Sequence, residues 1–321
     1  MPLMFDMPLA KLKTYRGRNP KPRDFSTFWK RALAEMNGVK PEVEMRAAAF
    51  QAPYAACTDL YFTGVRGARV HAQLVRPKER PKTPQPAVLM FHGYHGNAGD
   101  WSAKLGYAAA GYTVAALDCR GQGGRSQDPG GVAGHTLRGH IIRGLDGAPD
   151  DLLFRQIFLD TAQLAKIVMA MPEVDAKRVG ACGGSQGGAL TLACAALVPG
   201  IKRAAPAFPF LSDYKRVWEM DQAKDAYFEL GDYFRWFDPL HEREQDVFTK
   251  LGYIDIQHLM PHVKAEVMMA VGLMDTICPP STQFAAYNKI KAKKRLVIYP
   301  DFKHENLPGW SDKVFLFMQG L

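Results

Sequence analysis

A chain of 321 residues that is 47% apolar and 23% charged can bury a core without disulfide or metal staples, and this composition excludes global disorder. Its 29 Gly and 22 Pro lack the period of a collagen, and no apolar run reaches the roughly 18 residues of a membrane helix. Lys and Arg outnumber Asp and Glu 41 to 32, but the net charge of +9 is spread along the chain, which points to solubility rather than nucleic-acid binding.

The first 40 residues read as an arm. Its opening stretch, MPLMFDMPLAKLKTYRGR, has no apolar segment long enough for a signal peptide. Phe28, Trp29, Leu33 and Met36 recur at helical spacing behind Ser26 as N-cap, so a helix is expected over Phe25 to Met36. From Cys57 to Arg76 apolar residues alternate with polar ones on either side of Gly64 to Gly67, the pattern of an antiparallel hairpin.

After Pro86 short apolar runs alternate with helical patterns. The runs Ala87–Phe91, Thr113–Leu117, Arg178–Cys182, Ala204–Phe208, Val267–Val271 and Leu296–Tyr299 suit strands buried on both faces. Between them, Phe154, Ile157, Phe158, Leu164, Ala165 and Val168 make one helix stripe, and a second helix is expected from about Gly187 to Val198. The reading is one α/β domain over 1–321, with a mostly parallel, doubly wound sheet and an antiparallel N-terminal hairpin. Residues 212–262 interrupt the alternation with an aromatic-rich helical insertion, suited to covering a site or contacting another subunit. The basic cluster Lys289, Lys291, Lys293, Lys294 and Arg295 reads as the end of a surface helix.

The chemistry concentrates in RVGACGGSQGG, Arg178 to Gly188. A strand runs into G-x-S-x-G and then into a small-residue helix start. The sharp turn lifts the Ser185 hydroxyl clear of the sheet, and the first helix amides, Gln186 N–H among them, face developing negative charge. A serine nucleophile needs a base and an acid further along the chain. Of the four later histidines, His304 follows a strand in a polar loop, whereas His241, His258 and His262 fall in the insertion. Asp275 ends the strand-like VMMAVGLMD before Pro279 and Pro280. Asp301 competes but sits only three residues before His304, so Asp275 is preferred.

A second oxyanion donor is expected from HGYHG after AVLMF, with the Tyr94 backbone N–H as the candidate. His92 and His95 also form H-x-x-H, but a third ligand at suitable spacing is lacking, so no metal is assigned. Arg120, Gly121 and Gln122 follow the strand TVAALD, where a guanidinium can pin loops at the strand tops. No G-x-G-x-x-G, Walker, HExxH or EF-hand pattern occurs, and no cofactor is expected. Cys57, Cys119, Cys182, Cys194 and Cys278 are odd in number, widely spaced and without CxxC. They read as buried core residues of a protein in a reducing, cytoplasmic setting.

Three motifs together, Arg120-Gly121-Gln122, Gly183-Gly184-Ser185-Gln186-Gly187 and His304-Glu305, resemble the cephalosporin C deacetylase and acetyl xylan esterase family, carbohydrate esterase family seven. The resemblance extends to PLAKLKTYRG in the arm, FHGYHGN, Gly139 to Leu145, Phe210 to Tyr214 and Met274 to Asn288. It implies an α/β-hydrolase fold and a triad at Ser185, Asp275 and His304, with oxyanion donors at the Tyr94 and Gln186 amides. It also implies deacetylation of short xylo-oligosaccharides and of cephalosporin C through an acetyl-serine intermediate. The family further suggests a cytoplasmic homohexamer, a trimer of dimers, acting on small substrates without nucleic-acid or membrane partners.

Overall fold

The computed structural model describes residues 5–79, 82–129 and 140–321. Gly139 of the Gly139–Leu145 stretch and the first four residues of the arm lie outside them.

Among the described residues, nine strands form one sheet: β1 (Glu44–Ala47), β2 (Ala55–Thr63), β3 (Arg69–Pro77), β4 (Gln85–Phe91), β5 (Thr113–Leu117), β6 (Val174–Gly184), β7 (Arg203–Ala207), β8 (Glu266–Gly272) and β9 (Lys294–Tyr299). Their spatial order is β1-β2-β3-β5-β4-β6-β7-β8-β9. The strands from β1 through β3 to β5 pair antiparallel, and every pair from β5 to β9 is parallel. The fold is therefore a mixed α/β sheet with an antiparallel start, as the alternation of apolar runs implied. Thr63 pairs with Arg69 across the hairpin, whose tight turn holds Arg66 at φ 60°. The edge strand β1 was not anticipated: the alternation of Glu44, Met45, Arg46 and Ala47 is only four residues long, and the strand is mostly exposed.

Consecutive residues of β4 serve opposite cores. Leu89 and Phe91 join Trp29, Phe158 and Leu190 on one face, while Val88 packs with Tyr107, Val114 and Phe317 on the other. This period of two, apolar on both faces, is what two-sided helical cover requires.

Two local readings need correction. The helix Phe25–Gly38 begins one residue before Ser26; Asp24 is its cap residue, and no side chain caps it. Burying the Phe25 ring against His258, with centroids 5.8 Å apart, draws that residue into the first turn. The basic cluster is not a single helix end. Lys289 closes the helix Pro280–Lys289, whereas Lys294 and Arg295 open β9.

Between β7 and β8 the chain forms helices Tyr214–Glu219, Phe228–Phe237 and Glu244–Leu251. Tyr227, Leu230, Tyr233, Phe234 and Phe248 are buried, but Trp236 and Leu240 are 76% and 79% exposed. No helix among the described residues is long and apolar enough to cross a membrane.

Candidate active site

Strand order reverses beside β4, which has β5 on one side and β6 on the other. Such a reversal opens a crevice at the carboxyl ends of the strands. The loops after β4, β6, β8 and β9 carry His92–Gly96, Ser185, Asp275 and His304 respectively.

Ser185 caps the helix Gln186–Leu197 at φ 56° and ψ −120°. A residue with a Cβ adopts this conformation only under strain worth about 1–3 kcal/mol, so the surroundings must enforce it. Ser185 N donates to Ala207 O at 3.0 Å, and Phe210 N donates to Ser185 O at 3.1 Å. Glycine lets strand and helix approach closely here. A Cβ at Gly187 would stand 2.0 Å from the Phe91 carbonyl oxygen, and one at Gly183 would stand 2.5 Å from it.

His304 Nδ1 lies 2.8 Å from Asp275 Oδ2, and Asp275 is fully buried. The other carboxylate oxygen, Oδ1, accepts from Ile277 N at 2.9 Å and Cys278 N at 2.8 Å. Gln283 Nε2 donates to Oδ2 at 3.2 Å. Asp301, the alternative acid, is exposed. The His304 ring rests on Phe208, with centroids 4.5 Å apart. Ser185 and His304 line one cleft of about 800 Å³ together with Gly93, Tyr94, His95, Phe228 and Glu229. Among the described residues no hydrogen bond joins the Ser185 hydroxyl to His304. The hydroxyl touches the buried Cys278 thiol, which burial and then the Asp275 charge push well above the ordinary thiol range. Contacts between a nucleophile and its base commonly tighten only when substrate is bound.

The backbone N–H groups of Tyr94 and Gln186 have no partner among the described residues. Gln122 ties their supports together. Its Oε1 accepts from His95 N at 3.0 Å, and its Nε2 donates to Gln186 Oε1 at 2.7 Å. Arg120 is buried and grips Asp160 through two nitrogens, at 2.7 and 2.6 Å, while NH1 donates to Val65 O at 3.2 Å. The carbonyl of Gly121 accepts from His140 Nε2 at 2.8 Å. The motif thus ties the loop at His95, the helix start at Gln186, the hairpin turn at Val65, Asp160 and His140 to the end of β5.

The H-x-x-H pair does not chelate. His92 Nδ1 donates to Gly93 O at 2.7 Å, and Nε2 accepts from Cys119 N at 3.0 Å, so both its nitrogens are used. Burial holds the His92 ring below the usual histidine range, which keeps it neutral. His241 and His262 are exposed, and His258 is buried against Phe25. All five cysteines are unpaired; Cys182 is half-buried and the other four are buried.

Sequence reasoning missed Glu229. It is 2% exposed on the helix Phe228–Phe237 and accepts from the Tyr94 hydroxyl and from Ile141 N at 2.6 Å. Burial and then the Glu229 charge drive the Tyr94 hydroxyl far above the ordinary phenol range, so it stays a neutral donor. The available signal was a glutamate directly between Phe228 and Leu230 in the aromatic-rich stretch AYFELGDYF.

A family model described as acetyl xylan esterase (AXE1) matches residues 1–321. The chain belongs to the acetyl xylan esterase family. It is 59% identical to acetyl xylan esterase 1 from Thermoanaerobacterium sp. JW/SL YS485, with a TM-score of 0.96 over 98% of this chain and 99% of that one. An acetyl xylan esterase from Paenibacillus sp. R4 is 34% identical, with a TM-score of 0.93 over the same shares. Acetyl esterase Axe7A of Xylanibacter ruminicola is 26% identical over 300 residues, 88% of this chain. The chain spans 63% of that curated relative's length. The family is one of carboxylic ester hydrolases with the α/β-hydrolase fold.

Proposed function

We propose that this protein is a serine esterase that removes acetyl groups from small acetylated carbohydrates. The observation that carries the reading is the 2.8 Å contact between His304 and the buried Asp275, at a cleft that Ser185 also lines. In the first half-reaction Ser185 Oγ attacks the acetyl carbonyl carbon and His304 Nε2 takes the hydroxyl proton. The oxyanion is held by the Tyr94 and Gln186 amides, each donor worth about 3 kcal/mol in the transition state. The C–O bond to the alcohol breaks, and His304 returns the proton to the leaving oxygen. Water, deprotonated by His304, then attacks the acetyl-serine carbonyl; the bond to Ser185 Oγ breaks, His304 returns the proton to that oxygen, and acetate leaves. Asp275 orients the imidazole with its Nδ1–H inward and stabilises the imidazolium. Arg120, Gly121 and Gln122 serve by holding the loops that carry these groups.

The cleft volume suits a ligand of oligosaccharide size or smaller, which supports short xylo-oligosaccharide esters and the acetoxymethyl group of cephalosporin C as substrates. Exposed Trp236, Phe237 and Leu240 support assembly through the 212–262 segment, in keeping with a homohexamer. Five unpaired cysteines support a cytoplasmic, reducing location.

The test combines labelling with turnover. A fluorophosphonate should label Ser185 in the parent and leave Ser185→Ala unlabelled. Acetylated xylobiose, cephalosporin C and p-nitrophenyl acetate should all be hydrolysed by the parent, with a loss on the order of 10⁶-fold in Ser185→Ala. Near-parental turnover by Ser185→Ala would overturn the reading.

A further inference from the structure

The loop after β4 lines the cleft at Tyr94, and the side chain of the same residue is clamped behind it. The Tyr94 hydroxyl donates to Glu229 Oε1 and accepts from the His140 backbone N–H. Glu229 Oε2 accepts from Ile141 N at 2.6 Å and from Ile142 N at 3.4 Å. One carboxylate thus joins three segments: the loop after β4, residues 140–142 and the helix Phe228–Phe237 of the insertion. The Tyr94 ring packs against Phe210 and His140, with centroids 5.3 and 5.4 Å away. Phe210 N in turn donates to Ser185 O at 3.1 Å, so the Tyr94 loop and the nucleophile turn share one support.

Ordinary packing does not call for a carboxylate in this place. Glu229 is 2% exposed. Burying a carboxylate costs several kcal/mol unless hydrogen bonds replace its water, whereas an apolar side chain would fill the space without that cost. The helix has a separate anchor one turn further on. Tyr233, four residues after Glu229 and also buried, donates from its hydroxyl to Asp146 Oδ1 at 2.7 Å. What Glu229 adds is a fixed point for Tyr94. Such a point matters because a hydrogen-bond donor displaced by about 1 Å from the reacting atoms can forfeit about 10²-fold in rate.

We propose that Glu229 is a positioning residue of the esterase: through the Tyr94 hydroxyl it fixes the backbone N–H that binds the oxyanion. The inference rests on the esterase reading and adds that the 212–262 insertion takes part in turnover. Fixing an oxyanion donor stabilises the transition state more than the bound ester, so the effect falls on kcat rather than KM.

Tyr94→Phe is the decisive variant. It removes the hydroxyl and leaves the ring, the backbone N–H and the other contacts of Glu229 in place. Removing an oxyanion donor outright costs about 10²–10³ in kcat, so loosening one should lower kcat for p-nitrophenyl acetate about 10- to 100-fold, with KM within about threefold of the parent. The compound 1,1,1-trifluoroacetone reads the oxyanion directly. Ser185 Oγ bonds to its carbonyl carbon, His304 takes the hydroxyl proton, and the carbonyl π pair moves to oxygen, giving a hemiketal oxyanion. Its inhibition constant should rise in Tyr94→Phe by the same factor as kcat/KM falls. Glu229→Ala removes the clamp from the other side. It should lose at least as much kcat, and adding Tyr94→Phe to it should cost no more. Tyr233→Phe weakens the same helix away from the Tyr94 loop and should keep kcat within about twofold of the parent.

Thermal melting establishes that each variant is folded; if Tyr94→Phe does not fold, Glu229→Ala decides on the same readouts, and failure of both makes the clamp purely structural and overturns the proposal. A folded Tyr94→Phe with parental kcat overturns it, as does a loss confined to KM, an unchanged trifluoroacetone constant, or an equal loss in Tyr233→Phe. A parent that turns over no acetyl ester defeats the esterase reading and this proposal with it, whereas an active parent with an indifferent Tyr94→Phe defeats this proposal alone.

Discussion

Asp275→Asn tests the proposed mechanism with little change of shape. In the parent, Oδ1 accepts two backbone amides, from Ile277 and Cys278, and only an oxygen can occupy that place. The variant must therefore turn its NH₂ toward the position of Oδ2. There it meets His304 Nδ1, 2.8 Å from the parent oxygen, and Gln283 Nε2, 3.2 Å from it. Two donors then face each other at Gln283, which costs about 1–3 kcal/mol of stability. At His304 the NH₂ is satisfied only if Nδ1 becomes an acceptor. The ring proton moves to Nε2, the nitrogen that must be bare to receive the Ser185 proton. Wrong-tautomer variants of serine hydrolases lose about 10⁴ in kcat, equivalent to about 5 kcal/mol of barrier at about 1.4 kcal/mol per decade. The expected result is a kcat for p-nitrophenyl acetate lower by about 10⁴ with KM within a few-fold of the parent, since no group touching the acetyl ester has changed. A ¹⁵N spectrum of the His304 ring should show the proton shifted from Nδ1 to Nε2. A folded variant with a rate within tenfold of the parent would refute the reasoning, as would an unchanged tautomer.

The remaining predictions concern the framework. Arg120→Ala leaves the fully buried Asp160 carboxylate without its bidentate partner, and should cost about 3–5 kcal/mol in urea unfolding. Arg120→Met combined with Asp160→Leu should recover most of that loss, and a single-variant cost below about 1 kcal/mol would contradict the assignment. His258 gives a pH dependence of known sign. Burial first, and then Lys289 and Lys21, depress it from 6.5 to about 3, so the folded state keeps it neutral while the unfolded chain protonates. Its stabilising contribution is complete above pH 6.5 and is lost as the pH falls toward 3. The slope is up to about 1.4 kcal/mol per pH unit, which makes about 2 kcal/mol by pH 5. His258→Gln should flatten that part of the stability profile in denaturant titrations at pH 7 and pH 5; an unchanged slope would assign the acid sensitivity elsewhere.

What could be read locally in the sequence was what neighbouring residues decide among themselves. Alternation of apolar residues marks a strand because successive side chains point to opposite faces, and Ala87–Phe91 and Thr113–Leu117 lie in β4 and β5 for that reason. The turn at Ser185 was legible because the glycines that permit it flank it within two positions. Where several forces competed within one turn, local reading failed. The arm helix begins at Phe25 as its spacing implied, but Ser26 falls inside the first turn instead of capping it because burying the Phe25 ring outweighs a hydroxyl cap, and the short alternation of β1 counts for little until β2 pairs with it.

Tertiary structure decided whatever depended on chain segments far apart in the sequence. Spacing along the chain favoured Asp275 over Asp301 as the partner of His304 but could not bring it there; the packing of β8 against β9 places Asp275 at 2.8 Å and leaves Asp301 exposed. The same holds for Arg120 with Asp160, 40 residues apart, and for Glu229 with Tyr94, 135 residues apart. It also holds for His95, which the sequence pairs with His92 and the fold places beside His140 and Glu229 instead. Backbone sterics and side-chain alternation act over a few residues and are written in them. A contact between distant segments exists only after many weaker packing choices have closed the chain around it.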